Sequence, residues 1–283
     1  MAGARPPGSD AHRAKKSLGQ NFLTDPQTQR KIASAIDPSS TDEVLEIGPG
    51  RGALTQHLAG KVGRLVLVEL DDELAARLQE QYANEPTVEL IHRDILEVPL
   101  EEITEQVEKL KVIGNIPYNI TTPIIFSLLE RRPRPARIVL MVQREVADRI
   151  MADPGSKTYG ALAVGVQAVA SVKRVVQVGR GSFRPAPDVD STVIAISPFQ
   201  PPRLEPHLEV GLRNLTRWAF GQRRKQFQRI LRDALSLGAE QIAALEAATG
   251  FDLASRPETF SPPQFVELAR ALIAAGHHSP RAA

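Results

Sequence analysis

Val44-Leu45-Glu46-Ile47-Gly48-Pro49-Gly50-Arg51-Gly52 is an apolar strand that runs directly into a glycine loop, and a helical stretch from Ala53 to Ala59 follows it. Glycines at that junction permit a tight turn and close backbone approach to a ligand, and N–H groups at a helix start face outward. The spacing narrows the choice. A dinucleotide fingerprint is G-x-G-x-x-G, whereas here the third glycine arrives one residue early, which disfavours a pyrophosphate cradle and a nicotinamide oxidoreductase.

Working outward, strand-like runs recur at Val44 to Ile47, Leu65 to Glu69, Val88 to Ile91, Lys111 to Gly114 and Ile138 to Val142. Helical patterns alternate with them at Ala53 to Ala59, Asp72 to Tyr82, Thr122 to Glu130 and Arg144 to Ala152. An earlier helix is signalled by Thr24 or Asp25 before Pro26. Strand and helix in turn predict an α/β fold, a parallel sheet with helices on both faces. Val172 to Val178 and Thr192 to Ile196 read as antiparallel additions at the sheet edge. The prolines between Pro198 and Pro206 forbid a helix or central strand across them. Beyond lie four helical patterns, Leu208 to Ala219, Gln222 to Leu237, Ala239 to Thr249 and Pro263 to Ala275, which make a smaller C-terminal all-α domain. The expected organisation is a flexible basic arm over 1–16, a main domain over 17–200 and a helical domain over 207–283.

Composition excludes several classes. There is no cysteine among 283 residues, which rules out disulfides, thiolate metal sites and a cysteine nucleophile. No apolar run approaches the roughly 20 residues of a membrane span, and the N-terminus lacks the apolar core of a secretory signal. A cytoplasmic location and a monomer are the default expectations. Arg and Ala near the start also fit a mitochondrial transit peptide, against which Asp10 and the prolines weigh.

The strand ends carry the polar groups. Glu69 closes the second strand, where a carboxylate can accept both hydroxyl hydrogens of a ribose or cap the next helix, a job open to Asp71 or Asp72 as well. Asp94 follows the third strand and suits an adenine amine or a surface turn. Asn115-Ile116-Pro117-Tyr118 ends the fourth strand and supplies a side-chain amide, a backbone carbonyl and a phenol ring. Those groups suit a flat base bearing an NH2 group. The lone pair of such an amine is delocalised into the ring. Acceptors pulling on both N–H bonds, Asn115 Oδ1 and the carbonyl of Ile116 or Pro117, favour a pyramidal nitrogen with its lone pair aimed at a donor. An Asn-Pro turn is the plainer alternative. Phe183, in the proline-flanked loop up to Ser191, suits stacking on the other face of an extruded base, although a lone loop Phe is commonly a core residue. Arg213, Arg217, Arg223, Arg224, Lys225, Arg229 and Arg232 give the helical domain a basic stripe that fits phosphate contacts or a solvated face.

Taken in order, Gly19-Gln20-Asn21-Phe22-Leu23, the Glu46-to-Gly52 loop, Asn115-Ile116-Pro117-Tyr118 and the Phe183-to-Ser191 segment resemble the rRNA adenine N6,N6-dimethyltransferase family, and within it the bacterial small-subunit (16S) branch. The resemblance covers about residues 15 to 275. It implies a Rossmann-like class I methyltransferase domain that uses S-adenosylmethionine, and a pair of adjacent adenines near the 3′ end of small-subunit rRNA in the assembling 30S subunit as substrate, each receiving two methyls. It puts Asn21 and Leu23 over the cofactor with Gly48 in the loop, Glu69 on the ribose, Asp94 on the cofactor adenine, Asn115 between cofactor and target amine, and Tyr118 and Phe183 on the two faces of the base. Two departures stand out: Ile116 where the family commonly has Leu, and Gln226-Phe227-Gln228-Arg229 where it often continues Thr-Leu-Arg-Asn. The rival readings are a large-subunit adenine methyltransferase of the macrolide-resistance type, and an assembly or transcription factor that keeps the fold for binding. The segment Gln222 to Lys225 and the long helical domain favour the small-subunit reading over the large-subunit one.

Overall fold

The computed structural model describes Lys15 and residues 20–277; the rest of the expected basic arm, Gly19 and residues 278–283 lie outside the described residues. The chain runs through β1 (Phe22–Leu23), α1 (Pro26–Ala35), β2 (Glu43–Ile47), α2 (Thr55–Leu58), β3 (Arg64–Glu69), α3 (Asp72–Gln81), β4 (Val88–His92), α4 (Leu100–Ile103), β5 (Lys111–Asn115), α5 (Thr121–Glu130) and β6 (Arg137–Gln143). It continues with α6 (Arg144–Ile150), α7 (Ala161–Gln167), β7 (Ala170–Val178), β8 (Phe183–Arg184), β9 (Ser191–Pro198), α8 (Pro206–Gly221), α9 (Phe227–Leu235), α10 (Ala239–Thr249) and α11 (Pro262–Ala274).

The main sheet has the order β4-β3-β2-β5-β6-β9-β7. Neighbours from β4 to β6 are parallel. Their central residues, among them Val44, Leu45, Leu65 to Leu67, Val112, Ile113 and Ile138 to Val142, are wholly buried. Strands covered on both faces read as continuous apolar runs, which is why the sequence located them. From β2 the chain steps outward to β3 and β4, then returns to the other side of β2 with β5. That reversal leaves a crevice at the carboxyl ends of β2 and β5, the place where open α/β sheets bind ligands. The register brings the polar residues to the same edge: Ile47 lies opposite Val68 and Gly114, Glu69 opposite His92, and Asn115 opposite Met141. β9 and β7 do follow β6 in the order, with β7 outermost.

The described residues form two compact units, one comprising residues up to 143 with 175–193, the other 144–174 with residues from 194 onward. The second unit is built around α8 to α11 with α6 and α7. Its core is aromatic: Phe227 meets Phe260 edge-on at 5.1 Å, and Phe265 lies 5.5 Å from both Phe220 and Phe227. Tyr159 is buried in the same unit and donates to the Phe260 carbonyl at 2.8 Å. α11 starts with a capping box in which Ser261 and Gln264 satisfy each other's backbone N–H groups.

Two expected helices are shorter than their patterns. Only Thr55–Leu58 of the stretch 53–59 is helical, because the glycines occupy the turn before it. The expected helix 222–237 begins at Phe227, since Gln222 to Gln226 form a turn closed by the Lys225 N–H on the Gln222 carbonyl at 2.8 Å. Arg223, Arg224 and Lys225 therefore sit between helices, and a stripe continuous with Arg217 along one helix face does not form.

Candidate active site

The loop after β2 turns in the left-handed region, with φ +62° at Gly48 and +61° at Gly50. The glycine N–H groups hold the turn. Gly48 donates to the Val68 carbonyl, Gly52 to the Pro49 carbonyl, and Gly50 to Glu69 Oε2 at 2.9 Å. The loop's contribution is close approach of bare backbone. A Cβ on Gly50 would lie 3.3 Å from the Phe22 ring, over which Arg51 stacks at 4.3 Å.

Glu69 is buried at the end of β3 and also takes the Leu70 and Asp71 N–H groups on Oε1 at 3.0 Å. Oε2 takes only one of these three bonds, so the carboxylate keeps acceptor capacity at the cavity it lines. Asp71 caps α3 through Glu73 and Leu74, which releases Glu69 from that duty. Asp71 Oδ2 also receives Gln20 Nε2 at 2.9 Å and Lys15 Nζ at 3.0 Å. Burial would raise this carboxyl, but the bonds from Gln20, Lys15 and the helix amides hold it below its ordinary range. Lys15, expected in a loose arm, is thus tied down. Asp94 is half-buried and caps a short 3-10 turn through Oδ1 and the Leu96 N–H at 2.9 Å.

One cavity collects Asn21, Leu23, Gly48, Glu69, Asp94, Asn115, Pro117 and Tyr118, all in the first unit. Asn115 Nδ2 donates to the Asn21 carbonyl at 3.1 Å. This bond orients the amide, with its NH2 committed and Oδ1 left as the acceptor. The Pro117 carbonyl takes the Ile120 N–H at 3.2 Å and the Thr121 hydroxyl at 3.3 Å. Of the two backbone acceptors considered, Ile116 is therefore the one not engaged by that turn. The Tyr118 hydroxyl meets Ser191 Oγ at 2.7 Å. Burial pushes its phenol up against the opposing pull of Ser191, and it stays neutral.

Phe183 is not brought to this cavity. It is wholly buried, and β8 pairs it with Leu23 of β1. In the second unit, Arg223 is half-buried and engaged with Glu258 and the carbonyls of Ser156 and Lys157. Lys225 pairs with Asp233 at 2.9 Å, and Arg224 is exposed. Sequence reasoning assigned no role to Glu46. It is buried, lines the cavity beneath the loop and accepts from Thr55 Oγ1 at 2.8 Å; burial pushes its carboxyl up to about 8. An acid inside an otherwise apolar strand was the available signal.

A glycine loop after β2, an acid ending β3 and an amide-proline-phenol segment ending β5, all around one crevice of a parallel sheet, define a Rossmann-like methyltransferase. The sequence profile described as "Ribosomal RNA adenine dimethylase" matches residues 11–271. Ribosomal RNA small subunit methyltransferase A of Geobacter metallireducens is 43% identical over 267 residues, covering 93% of this chain and 97% of the relative. The protein of the same name from Pseudomonas aeruginosa is 40% identical over 261 residues, covering 92% and 95%. Among solved structures, a dimethyladenosine transferase from Plasmodium falciparum superposes with a TM-score of 0.76 at 25% identity, covering 91% of this chain and 99% of its own. The 23S rRNA methyltransferase ErmE gives 0.71 at 26%, covering 89% and 100%. The chain belongs to the ribosomal RNA adenine dimethylase family. It is an rRNA methyltransferase, and S-adenosylmethionine is its methyl donor.

Proposed function

We propose that this chain transfers two methyl groups to N6 of each of two adjacent adenines near the 3′ end of small-subunit rRNA, acting in the cytoplasm, as a monomer, on the assembling 30S subunit. The observation that carries the chemistry is the Asn115 amide. Its NH2 is held by Asn21, so an acceptor oxygen stands at the end of β5 beside the glycine loop.

The residues fit the donor: a backbone cradle without side chains at Gly48 and Gly50, spare acceptor capacity on Glu69 for the ribose hydroxyls, Asp94 Oδ2 for an adenine amine, and Asn21 and Leu23 on the facing wall. When bound, S-adenosylmethionine supplies a methyl group on a sulfonium. Asn115 Oδ1 and the Ile116 carbonyl accept the two N–H bonds of the target amine in the first transfer, and one of them accepts the single remaining N–H in the second, localising the lone pair toward that methyl. The N–C bond forms as the S–C bond breaks, and the resulting ammonium releases its proton to water. No titrating base is needed before attack. Pro117 shapes the turn that presents Tyr118, whose ring stacks on the base. Phe183, paired with Leu23 across β1 and β8, backs the cavity wall that Leu23 forms. Arg224, with Arg223 and Lys225 beside it, meets RNA phosphates.

The small-subunit target is supported by the 43% identity to a relative named for that subunit, against 26% to ErmE. The test presents undermethylated small and large subunits in competition for labelled donor, with the modified nucleotides then mapped. Label confined to two neighbouring small-subunit adenines is the expected result; label in the large subunit would replace this target with the ErmE-type one.

A further inference from the structure

Ser191 is the first residue of β9 and is wholly buried. Its hydroxyl finds the Tyr118 hydroxyl at 2.7 Å, whereas the next hydroxyl along, Thr192 Oγ1, is buried without a hydrogen-bond partner. At its base Tyr118 is held by the 3-10 turn that the Pro117 carbonyl closes with Ile120 and Thr121. A tyrosine hydroxyl lies on the axis of the Cβ–Cγ bond. A bond to it fixes where the ring points while leaving rotation about that axis free. With its base set by the turn and its tip set by Ser191, the ring keeps one direction into the cavity beside Asn115.

We propose that Ser191 is a positioning residue that aims the Tyr118 ring at the target base. The inference rests on the reading of Tyr118 as a wall of the base slot. The bond also ties Tyr118 to the strand that anchors the Phe183 segment, because Ser191 both ends that segment and starts β9. The loop that runs from Arg180 to Asp190 through Phe183 is closed by the Arg180 N–H on Asp190 Oδ1 at 3.3 Å. A base stacked on a ring that wanders in direction spends less time with its amine at Asn115, and such misplacement lowers the rate of the bound complex more than its formation.

The test is a double-mutant cycle in single-turnover methyl transfer to undermethylated rRNA, with Ser191→Ala, Tyr118→Phe and the pair. Each single change is expected to lower the saturated rate roughly fivefold, the worth of one neutral hydrogen bond, and the pair to lower it by the same factor, since both remove one bond. Affinity for S-adenosylmethionine stays at the parent's value. Losses that multiply to roughly 25-fold, or either single variant at the parent's rate, would overturn the inference. Should Ser191→Ala fail to fold, Tyr118→Phe alone decides, because it keeps the ring and removes only the tether. Tyr118→Ala separates the two levels: if it runs at the parent's rate, the reading of Tyr118 as a wall fails; if it is impaired while Tyr118→Phe and Ser191→Ala are not, only the positioning role fails.

Discussion

Replacing Asn115 by Ala removes the acceptor on which the proposed chemistry depends while doing little to the fold. The amide makes one neutral hydrogen bond, Nδ2 to the Asn21 carbonyl at 3.1 Å, from a half-buried position. Such a bond contributes about 1 kcal/mol, against a domain stability of about 5 to 15 kcal/mol. The catalytic effect is larger. Removing one preorganised hydrogen-bonding group aimed at developing charge costs about 2.7 to 4 kcal/mol, or roughly a hundredfold to a thousandfold in rate. The assay is single-turnover transfer of labelled methyl to undermethylated rRNA with donor and RNA both saturating, alongside calorimetric donor binding and thermal unfolding. A hundredfold or greater loss is expected, with donor affinity changed only several-fold and the unfolding midpoint nearly kept. Asn115→Asp sharpens the test. It retains an acceptor but sets a carboxylate oxygen against the Asn21 carbonyl, so donor affinity falls along with rate as the segment over the cavity is pushed away. An Asn115→Ala enzyme within about threefold of the parent at saturation would refute the role of the amide.

Four further variants test the geometry. Gly50→Ala places a side chain at φ +61° against the Phe22 ring; it costs about 1 to 2 kcal/mol of backbone strain and should weaken donor binding roughly tenfold by calorimetry, while an unchanged affinity would mean the loop is not the cradle. Glu46 is protonated in the folded protein up to about pH 8 but ionises near 4.5 when unfolded, so the folded state binds the extra proton and this group makes stability fall with rising pH across that window, by up to about 1.4 kcal/mol per unit. Glu46→Gln should flatten that slope in urea unfolding; parallel curves for variant and parent would place the carboxyl's titration elsewhere. Arg223→Gln should destabilise the fold by about 2 kcal/mol through loss of its bonds to Glu258 and two carbonyls, read as a lower unfolding midpoint; a parent-like midpoint would make those bonds dispensable. Arg224→Gln should leave the midpoint alone and reduce the salt slope of RNA binding by about 1, and a parent-like slope would make Arg224 a solvated side chain.

The sheet was legible because Leu65 to Val68 and Ile138 to Val142 are buried on both faces and so are apolar without alternation. The crevice was legible because its polar residues, Glu69, Asp94 and Asn115, stand where those runs stop. What escaped were choices made by partners distant in the chain. The direction of the Asn115 amide is set by the Asn21 carbonyl, and Asn21 itself was recognisable only through the family resemblance. The glycines announced a tight turn, but not that Val68, Glu69 and Pro49 accept their N–H groups and so fix it. Gln222 to Gln226 have the composition of a helix surface, and only the Gln222–Lys225 turn shows that they break it. Phe183 carries no local sign that its partner across the ladder is Leu23 and that its ring is covered. Ser191 could be quoted within its motif, but its bond to Tyr118 spans 73 residues.

The central claim is that this cavity dimethylates an adenine amine in small-subunit rRNA. Its most direct test is nucleoside mass analysis of small-subunit rRNA lacking the modification, after incubation with the purified protein and S-adenosylmethionine carrying a heavy methyl. The account predicts N6,N6-dimethyladenosine bearing two heavy methyls at two adjacent positions near the 3′ end, absent with Asn115→Ala. Heavy methyl on any other nucleoside, or adenosine left unmodified by a protein that binds donor and RNA, would contradict it.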